Sequence, residues 1–142
     1  MIVLDTNVVS EFMKQQPEES VVTWLHALPS DDIWTTSITV FEIRHGLNIL
    51  PDGKRKRSLS HQFDLALKHD FEGRILNFDV EAATAGAAIA ANYRQQGQGC
   101  DVRDIQIAGI VAATEGTLAT RNVKDFRLAN ITIVDPWGID LT

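Results

Sequence analysis

Short apolar runs alternate along the chain with longer segments whose apolar residues recur at helical spacing. The short runs are rich in isoleucine, valine and leucine and are followed by polar or turn-forming residues, as is typical of buried strands. They predict strands at Ile2–Leu4, Ile33–Thr36, Arg74–Phe78, Thr117–Ala119 and Thr132–Val134.

The intervals between these strands carry apolar residues three and four positions apart, which predicts helices. The predicted helices are Thr6–Lys14, Glu18–Ala27, Ile38–Ile49, Lys54–His69, an alanine-rich helix from its N-cap Asp79 to Gln96, and Val102–Glu115, with a short turn or helix at Val123–Leu128. Strands alternating with helices indicate an α/β fold, in which helices cover both faces of a parallel sheet. No repeat, low-complexity segment or linker interrupts the pattern, so a single domain over residues 1–142 is expected.

Several polar residues follow predicted strands and would share one edge of such a sheet, the edge where ligands bind. Asp79 has a simpler role as the N-cap of the alanine-rich helix, and Asp135 reads as a turn residue before Pro136. Asp5 is less easily explained, because Thr6 or Asn7 could cap the following helix without it. The local sequence nevertheless leaves a capping role for Asp5 open.

Two further acids have both a structural and a functional interpretation. Glu42 fits a capping box with Thr39 as N-cap, whereas a cap at Ser37 would put Glu42 in the second helical turn. Asp104 lies three residues after Asp101, a natural N-cap, but it also heads an apolar stripe at the i+3, i+4 and i+7 positions. A carboxylate facing a core needs a cation, hydrogen bonds or a raised pKa.

Asp5, Glu42 and Asp104 come from different elements that could converge at one sheet edge. Carboxylates brought together without a basic partner would repel one another. Mg²⁺ or Mn²⁺ would relieve the repulsion, because these hard cations prefer carboxylate oxygen and keep bound water. Such water is a ready nucleophile for phosphodiester hydrolysis.

Overall charge and composition narrow the function classes. Thirteen basic and 19 acidic residues give a net charge of −6, which disfavours broad nucleic-acid binding but not a local site organised by a metal. A single cysteine, Cys100, excludes an internal disulfide and a zinc site of paired cysteines.

The apolar start is too short for a signal peptide and no run approaches membrane-spanning length, so we expect a cytoplasmic protein without membrane contact. The basic run Lys54–Arg57 reads as a solvated helix end, although contact with RNA stays open.

Four motifs in sequence order resemble those of PIN-domain ribonucleases. They are Asp5-Thr6-Asn7, Ser37-Ile-Thr-Val-Phe-Glu42-Ile-Arg-His-Gly, Asp104-Ile-Gln-Ile-Ala and Thr120-Arg-Asn-Val-Lys-Asp-Phe126. The likeness covers essentially the whole chain and is greatest to the bacterial VapC toxins of the FitB-like branch, including Gly53-Lys-Arg-Lys and the Pro136-Trp137-Gly138 ending. It implies a five-stranded parallel sheet in the order 3-2-1-4-5, whose reversal point lies between Asp5 and the turn at Thr120-Arg121-Asn122.

The resemblance also implies roles for individual residues. Asp5, Glu42 and Asp104 match the acidic metal-binding triad of the family, with Asp5 and Asp104 as direct ligands and Glu42 binding a second metal or orienting water. The sequence departs from the acidic pattern at Asn122, and Asp125 would either supply the missing charge as a catalytic residue or cap the turn before Phe126. Thr6 would hydrogen-bond within the site, and Asn7 would do likewise or cap the helix.

The implied function is that of a Mg²⁺-dependent endoribonuclease toxin, with Mn²⁺ as an alternative metal. The family forms homodimers and is neutralised by a small VapB- or FitA-like antitoxin, which often inserts an arginine into the acidic site and contacts promoter DNA on the toxin's behalf. A haloacid-dehalogenase-like phosphatase is disfavoured, because that chemistry needs a second aspartate where this chain has Asn7. The remaining alternative is an inactive or weak PIN-fold binding or dimerisation module, which only Asn122 favours.

Overall fold

Five parallel strands form one sheet in the order β3-β2-β1-β4-β5 in the computed structural model, which describes residues 1–138. The strands are β1 (Ile2–Leu4), β2 (Ile33–Thr36), β3 (Ile75–Leu76), β4 (Thr117–Ala119) and β5 (Thr132–Val134). The α/β class and the strand order are therefore confirmed. Strand β3 is shorter than the predicted Arg74–Phe78, because this edge strand pairs only with Thr35 and Thr36. Residues 139–142 of the predicted domain lie outside the described residues.

The described residues form six α-helices, each close to a predicted one. They are α1 (Thr6–Phe12), α2 (Glu19–His26), α3 (Ser37–Asn48), α4 (Lys54–Leu65), α5 (Val80–Gln95) and α6 (Val102–Thr114). The predicted helix to His69 instead continues from α4 as a π-helical turn at Ala66–Asp70, and a 3₁₀ turn at Ser30–Asp32 was not predicted. Val123–Phe126 forms the short helix that the sequence allowed, as a 3₁₀ segment.

Successive residues of the central strands point into two separate cores. Val3 and Leu118 belong to the core covered by α5 and α6, whereas Leu4 and Ala119 belong to the core covered by α1, α2, α3 and α4. All four residues are almost completely buried. This alternation explains why β1 is apolar throughout and why β4 is apolar at Leu118 and Ala119: a central parallel strand has no face in contact with water.

Side-chain caps fix where the site-bearing helices begin. Asp79 caps α5 through the Ala82 N–H, and Asp101 caps α6 through the Arg103 and Asp104 N–H groups, both as predicted. Asp135 accepts a hydrogen bond from the Trp137 N–H, which confirms it as a turn residue.

The predicted caps of α3 are wrong. The N-cap is Thr36, the last residue of β2, whose hydroxyl accepts a hydrogen bond from the Thr39 N–H at 3.1 Å. The helix thus begins directly at the end of the strand, without an intervening turn. Glu42 consequently lies in the second turn and forms no capping box, so that structural role no longer explains it.

Helices α5 and α6 pack against each other at two glycines, Gly86 and Gly109. A Cβ atom added to Gly109 would lie 2.4 Å from the Ala82 carbonyl oxygen and 2.9 Å from the Gly86 nitrogen. The missing side chains let the two backbones approach closely and so fix the position of α6, which carries Asp104. Among residues 1–138, no helix is long and apolar enough to cross a membrane.

Candidate active site

The crevice lies at the carboxyl ends of β1 and β4, where the strand order reverses. Asp5 follows β1 directly, and its backbone N–H donates to the Ala119 carbonyl at the end of β4 over 2.9 Å. Its side chain is only 4% exposed. Asp5 is therefore a buried carboxylate anchored to both central strands.

Three donors surround the Asp5 carboxylate. The Thr6 N–H donates to Oδ1 at 2.8 Å, while the Thr120 hydroxyl at 2.7 Å and the Asn7 amide at 3.1 Å donate to Oδ2. Asn7 also accepts the Arg121 N–H at 3.0 Å, which ties α1 to the turn after β4. Asp5 thus caps α1, one of its two open interpretations, and Asn7 belongs to the polar network rather than capping the helix.

Sequence reasoning did not single out Thr120 as a site residue, although it is completely buried and makes the shortest of these contacts. A signal was present, because Thr120 directly follows the strand that the predicted order puts beside β1. Only the register of β1 and β4, with Leu4 opposite Ala119, brings the hydroxyl to Asp5.

A cleft of about 640 Å³ lies beside this network, between α3, α6 and the Val123–Phe126 segment. Glu42, Asp104 and Asp125 line it, and so do the basic residues Arg103, Lys124 and Arg127. Three of the predicted acids, one from α3, one from α6 and one from the segment after β4, therefore face the same cleft. Asp5 does not itself line the cleft.

The acids are close enough to perturb one another's ionisation. Burial, which is the largest cause, and the charges of Asp5, Asp101, Asp125 and Glu42 together raise the pKa of Asp104 to about 6. Burial also raises the pKa of Asp5, although hydrogen bonds from Thr120, Thr6 and Asn7 oppose the change. Loss of hydration on burial is the largest cause for both groups, and repulsion from neighbouring carboxylates adds to it.

Glu42 has two partners that Asp104 lacks. Burial raises the pKa of Glu42, but the Thr6 hydroxyl and the Arg103 guanidinium act in the opposite direction. The Thr6 hydroxyl also lies 3.2 Å from that of Thr39 on α3. Thr6 therefore links α1 to α3 beside the acids.

Asn122 and Asp125 lie on the turn after β4. The Asn122 N–H donates to the Thr120 hydroxyl at 3.1 Å, so Asn122 supports the network through its backbone. Asp125 lies within the 3₁₀ segment and does not cap it, which excludes one of its two predicted roles. Its carbonyl accepts the Tyr93 hydroxyl at 2.7 Å, which fixes this segment against α5.

The donor chemistry fits a divalent cation, although the ligands are not assembled. Among residues 1–138, no three His, Cys, Asp or Glu side chains are already arranged to hold a metal ion. The carboxylates are nevertheless hard oxygen donors, and a cation would stabilise the charged forms that burial and mutual repulsion disfavour.

Residues 2–131 match the PIN domain family. The chain belongs to this family. It is 37% identical over 137 residues to toxin FitB of Neisseria gonorrhoeae, covering 96% of this chain and 99% of FitB. It is 34% identical to the VapC ribonuclease Y4jK of Sinorhizobium fredii, covering 96% and 98%. A solved structure of FitAB bound to an IR36 DNA fragment has a TM-score of 0.91 at 36% identity, over 99% of this chain and 98% of that one. The recognised PIN-domain resemblance and the FitB-like branch are thereby confirmed.

The Thr120→Val substitution is expected to destabilise this PIN domain by about 1–3 kcal/mol, because it leaves a buried carboxylate oxygen short of a donor. Valine keeps the shape of threonine, so packing changes little. Chemical denaturation near neutral pH measures the loss, and Thr132→Val at an exposed position of β5 is the control. Equal stability of the two variants would mean that the Thr120 hydroxyl does not support Asp5.

The Asp104→Asn substitution is expected to stabilise the metal-free PIN domain at about pH 8 but not at about pH 4. The pKa of Asp104 is raised from 3.8 to about 6 in the folded state, so the folded protein favours the protonated side chain. The resulting stabilisation is complete below pH 3.8 and is lost as the pH rises through about 6 and the side chain becomes charged. The asparagine side chain carries no charge at any pH. Melting in EDTA should show the variant about 2–4 °C above wild type at the higher pH only. A difference independent of pH would contradict the charge argument.

Proposed function

We propose that the protein is a Mg²⁺-dependent endoribonuclease toxin that hydrolyses RNA phosphodiester bonds. The observation that carries the proposal is the convergence of Glu42, Asp104 and Asp125 on one cleft beside buried Asp5, with the pKa of Asp104 raised to about 6. The similarity to toxin FitB and to a VapC ribonuclease supports the same function.

Asp5 and Asp104 would hold the metal, either Mg²⁺ or Mn²⁺, with Glu42 completing the site or orienting water. When bound, a divalent ion supplies positive charge that lowers the pKa of water and neutralises charge on the phosphate. The Thr6 and Thr120 hydroxyls and the Asn122 backbone keep the acids in position. Asn122 replaces an acid with a neutral group, so a second metal would bind weakly and Asp125 would supply the missing negative charge.

The chain's own residues account for the proton transfer. Water adds to phosphorus while the bond from phosphorus to the ribose oxygen breaks, and the ribose oxygen leaves with the bonding electrons and takes a proton from solvent. The carboxylate of Glu42 or Asp125, both on the cleft wall, accepts the proton that the water loses. The basic Lys124 and Arg127, which line the same cleft, attract the RNA backbone into an otherwise acidic protein.

We further propose a VapB- or FitA-like antitoxin as partner, because a relative of known structure is the FitAB assembly bound to DNA. A basic antitoxin side chain would be attracted by the surplus negative charge of the crevice. Contact with promoter DNA would then be made through the antitoxin, and the toxin would act as a homodimer on RNA in the cytoplasm.

The test is incubation of the purified, antitoxin-free protein with total cellular RNA in Mg²⁺, in Mn²⁺ and in EDTA. Discrete products that require metal would establish the nuclease, and mapping their ends would identify the substrate. Cleavage that persists in EDTA would contradict the proposed metal dependence.

A second candidate is a PIN-fold binding or dimerisation module, which the neutral Asn122 favours. A module of this kind would form the same dimer and bind the same antitoxin. It would cleave no RNA even where Mn²⁺ binding is saturated. The nuclease assay and a Mn²⁺ titration together separate the two candidates.

A further inference from the structure

Arg103, at the start of α6, approaches two acids at the mouth of the cleft. Its Nη1 atom lies 3.9 Å from Glu42 Oε2, and its Nε atom lies 3.6 Å from Asp101 Oδ1. The side chain is 48% exposed, so it is not held in place by burial. It joins the beginning of α6 to the second turn of α3 across the cleft.

The Arg103 guanidinium offsets the negative charge of Glu42 but not that of Asp104, the next residue in the chain. Arg103 lowers the pKa of Glu42, whereas the groups that shift the pKa of Asp104 all raise it. Arg127 lines the same cleft and provides a comparison at the same surface. Arg103 thus serves as a counter-ion for one of the three acids proposed to hold metal.

The ion pair between Arg103 and Glu42 is weak enough for another cation to replace Arg103. A distance of 3.9 Å lies at the outer limit of an ion pair, and solvent screens a pair this exposed. A divalent ion carries twice the charge and binds carboxylate oxygen directly. A cation near Glu42 would therefore repel the guanidinium and take its place.

We propose that Arg103 is a positioning residue that regulates metal loading: it holds the Glu42 carboxylate in the metal-free protein, and a divalent ion has to displace it. This inference rests on the proposed function, because it concerns the same acidic crevice. The displaced side chain has room in the cleft, where an RNA phosphate offers it a new anionic partner.

The probe is Mn²⁺ alone, with the free ion measured by electron paramagnetic resonance at low ionic strength. Arg103→Gln is expected to bind Mn²⁺ about fivefold more tightly than wild type, because the metal no longer competes with the guanidinium for the Glu42 carboxylate. Arg103→Lys restores the charge and should return the affinity toward wild type. Arg127→Gln is the matched control and should change the affinity less than about twofold.

A double-mutant cycle tests whether Arg103 acts through Glu42. In a Glu42→Gln background, adding Arg103→Gln should change Mn²⁺ affinity less than about twofold, because the pair is already broken. Unchanged or weaker binding by Arg103→Gln, an equal gain in Arg127→Gln, or a full gain in the Glu42→Gln background would each overturn the inference. Structural damage would weaken binding rather than tighten it.

Wild-type behaviour separates this inference from the proposed function. If wild type binds Mn²⁺ and cleaves RNA while Arg103→Gln matches its affinity, only the role of Arg103 fails. If neither wild type nor Arg103→Gln binds Mn²⁺ and no RNA is cleaved, both fail.

Discussion

Replacing Asp104 by asparagine is expected to slow RNA cleavage by about a thousandfold, which corresponds to losing roughly 4 kcal/mol of transition-state stabilisation. Asparagine keeps the size of the side chain but removes the negative charge that a divalent ion requires. Because the uncharged residue also relieves repulsion among the acids, the variant should fold at least as well as wild type. The measurement is the initial rate on total cellular RNA at saturating Mg²⁺.

Asp135→Asn is the matched control for this experiment. Asp135 undergoes the same chemical change in a turn after β5, outside the cleft lining, and asparagine can still accept the Trp137 N–H. Its cleavage rate should stay within about twofold of wild type. A similar loss in both variants, or full activity in Asp104→Asn, would contradict the assignment of Asp104.

Replacing Gly109 by alanine is expected to destabilise the fold by about 2–4 kcal/mol and to lower the melting temperature by roughly 5–10 °C. The new methyl group would lie 2.4 Å from the Ala82 carbonyl oxygen, so α5 and α6 must move apart. The atoms in the way belong to the backbone of α5, which cannot move aside as the end of a flexible side chain could. Since α6 carries Asp104, the same displacement should lower Mn²⁺ affinity.

Gly46→Ala is the opposite case on α3. A Cβ atom there meets nothing within 4 Å, and alanine lowers the entropy of the unfolded chain. This substitution should stabilise the protein by about 0.5–1 kcal/mol. Thermal denaturation compares the melting temperatures of the two variants. A Gly109→Ala protein as stable as Gly46→Ala would mean that α5 and α6 do not approach so closely.

The sequence was sufficient for the parts of the fold that depend on burial and on residue order. The apolar run of β1 and the Leu118-Ala119 pair of β4 predicted buried strands, and Asp79 and Asp101 were correctly predicted as caps, because these signals are local. The resemblance supplied the strand order, which local patterns cannot specify.

The errors and omissions concern contacts between distant segments. The cap of α3 was expected at Thr39 or Ser37, whereas Thr36 takes this role because the helix begins at the last residue of β2. Thr120 lies 115 residues from Asp5 in sequence and reaches it only through strand register. Arg103 has no local sequence signal of its contact with Glu42, because that contact depends on α3 and α6 lying on two sides of one cleft.

The central claim is that Asp5, Glu42 and Asp104 hold a divalent ion in the crevice at the ends of β1 and β4. Its most direct test is a crystal structure of the wild-type protein with Mn²⁺, using the anomalous signal of the metal. We predict a peak coordinated by carboxylate oxygens of Asp5 and Asp104, with Glu42 turned away from Arg103. A protein that cleaves RNA but shows no Mn²⁺ in this crevice, or binds it elsewhere, would contradict the account.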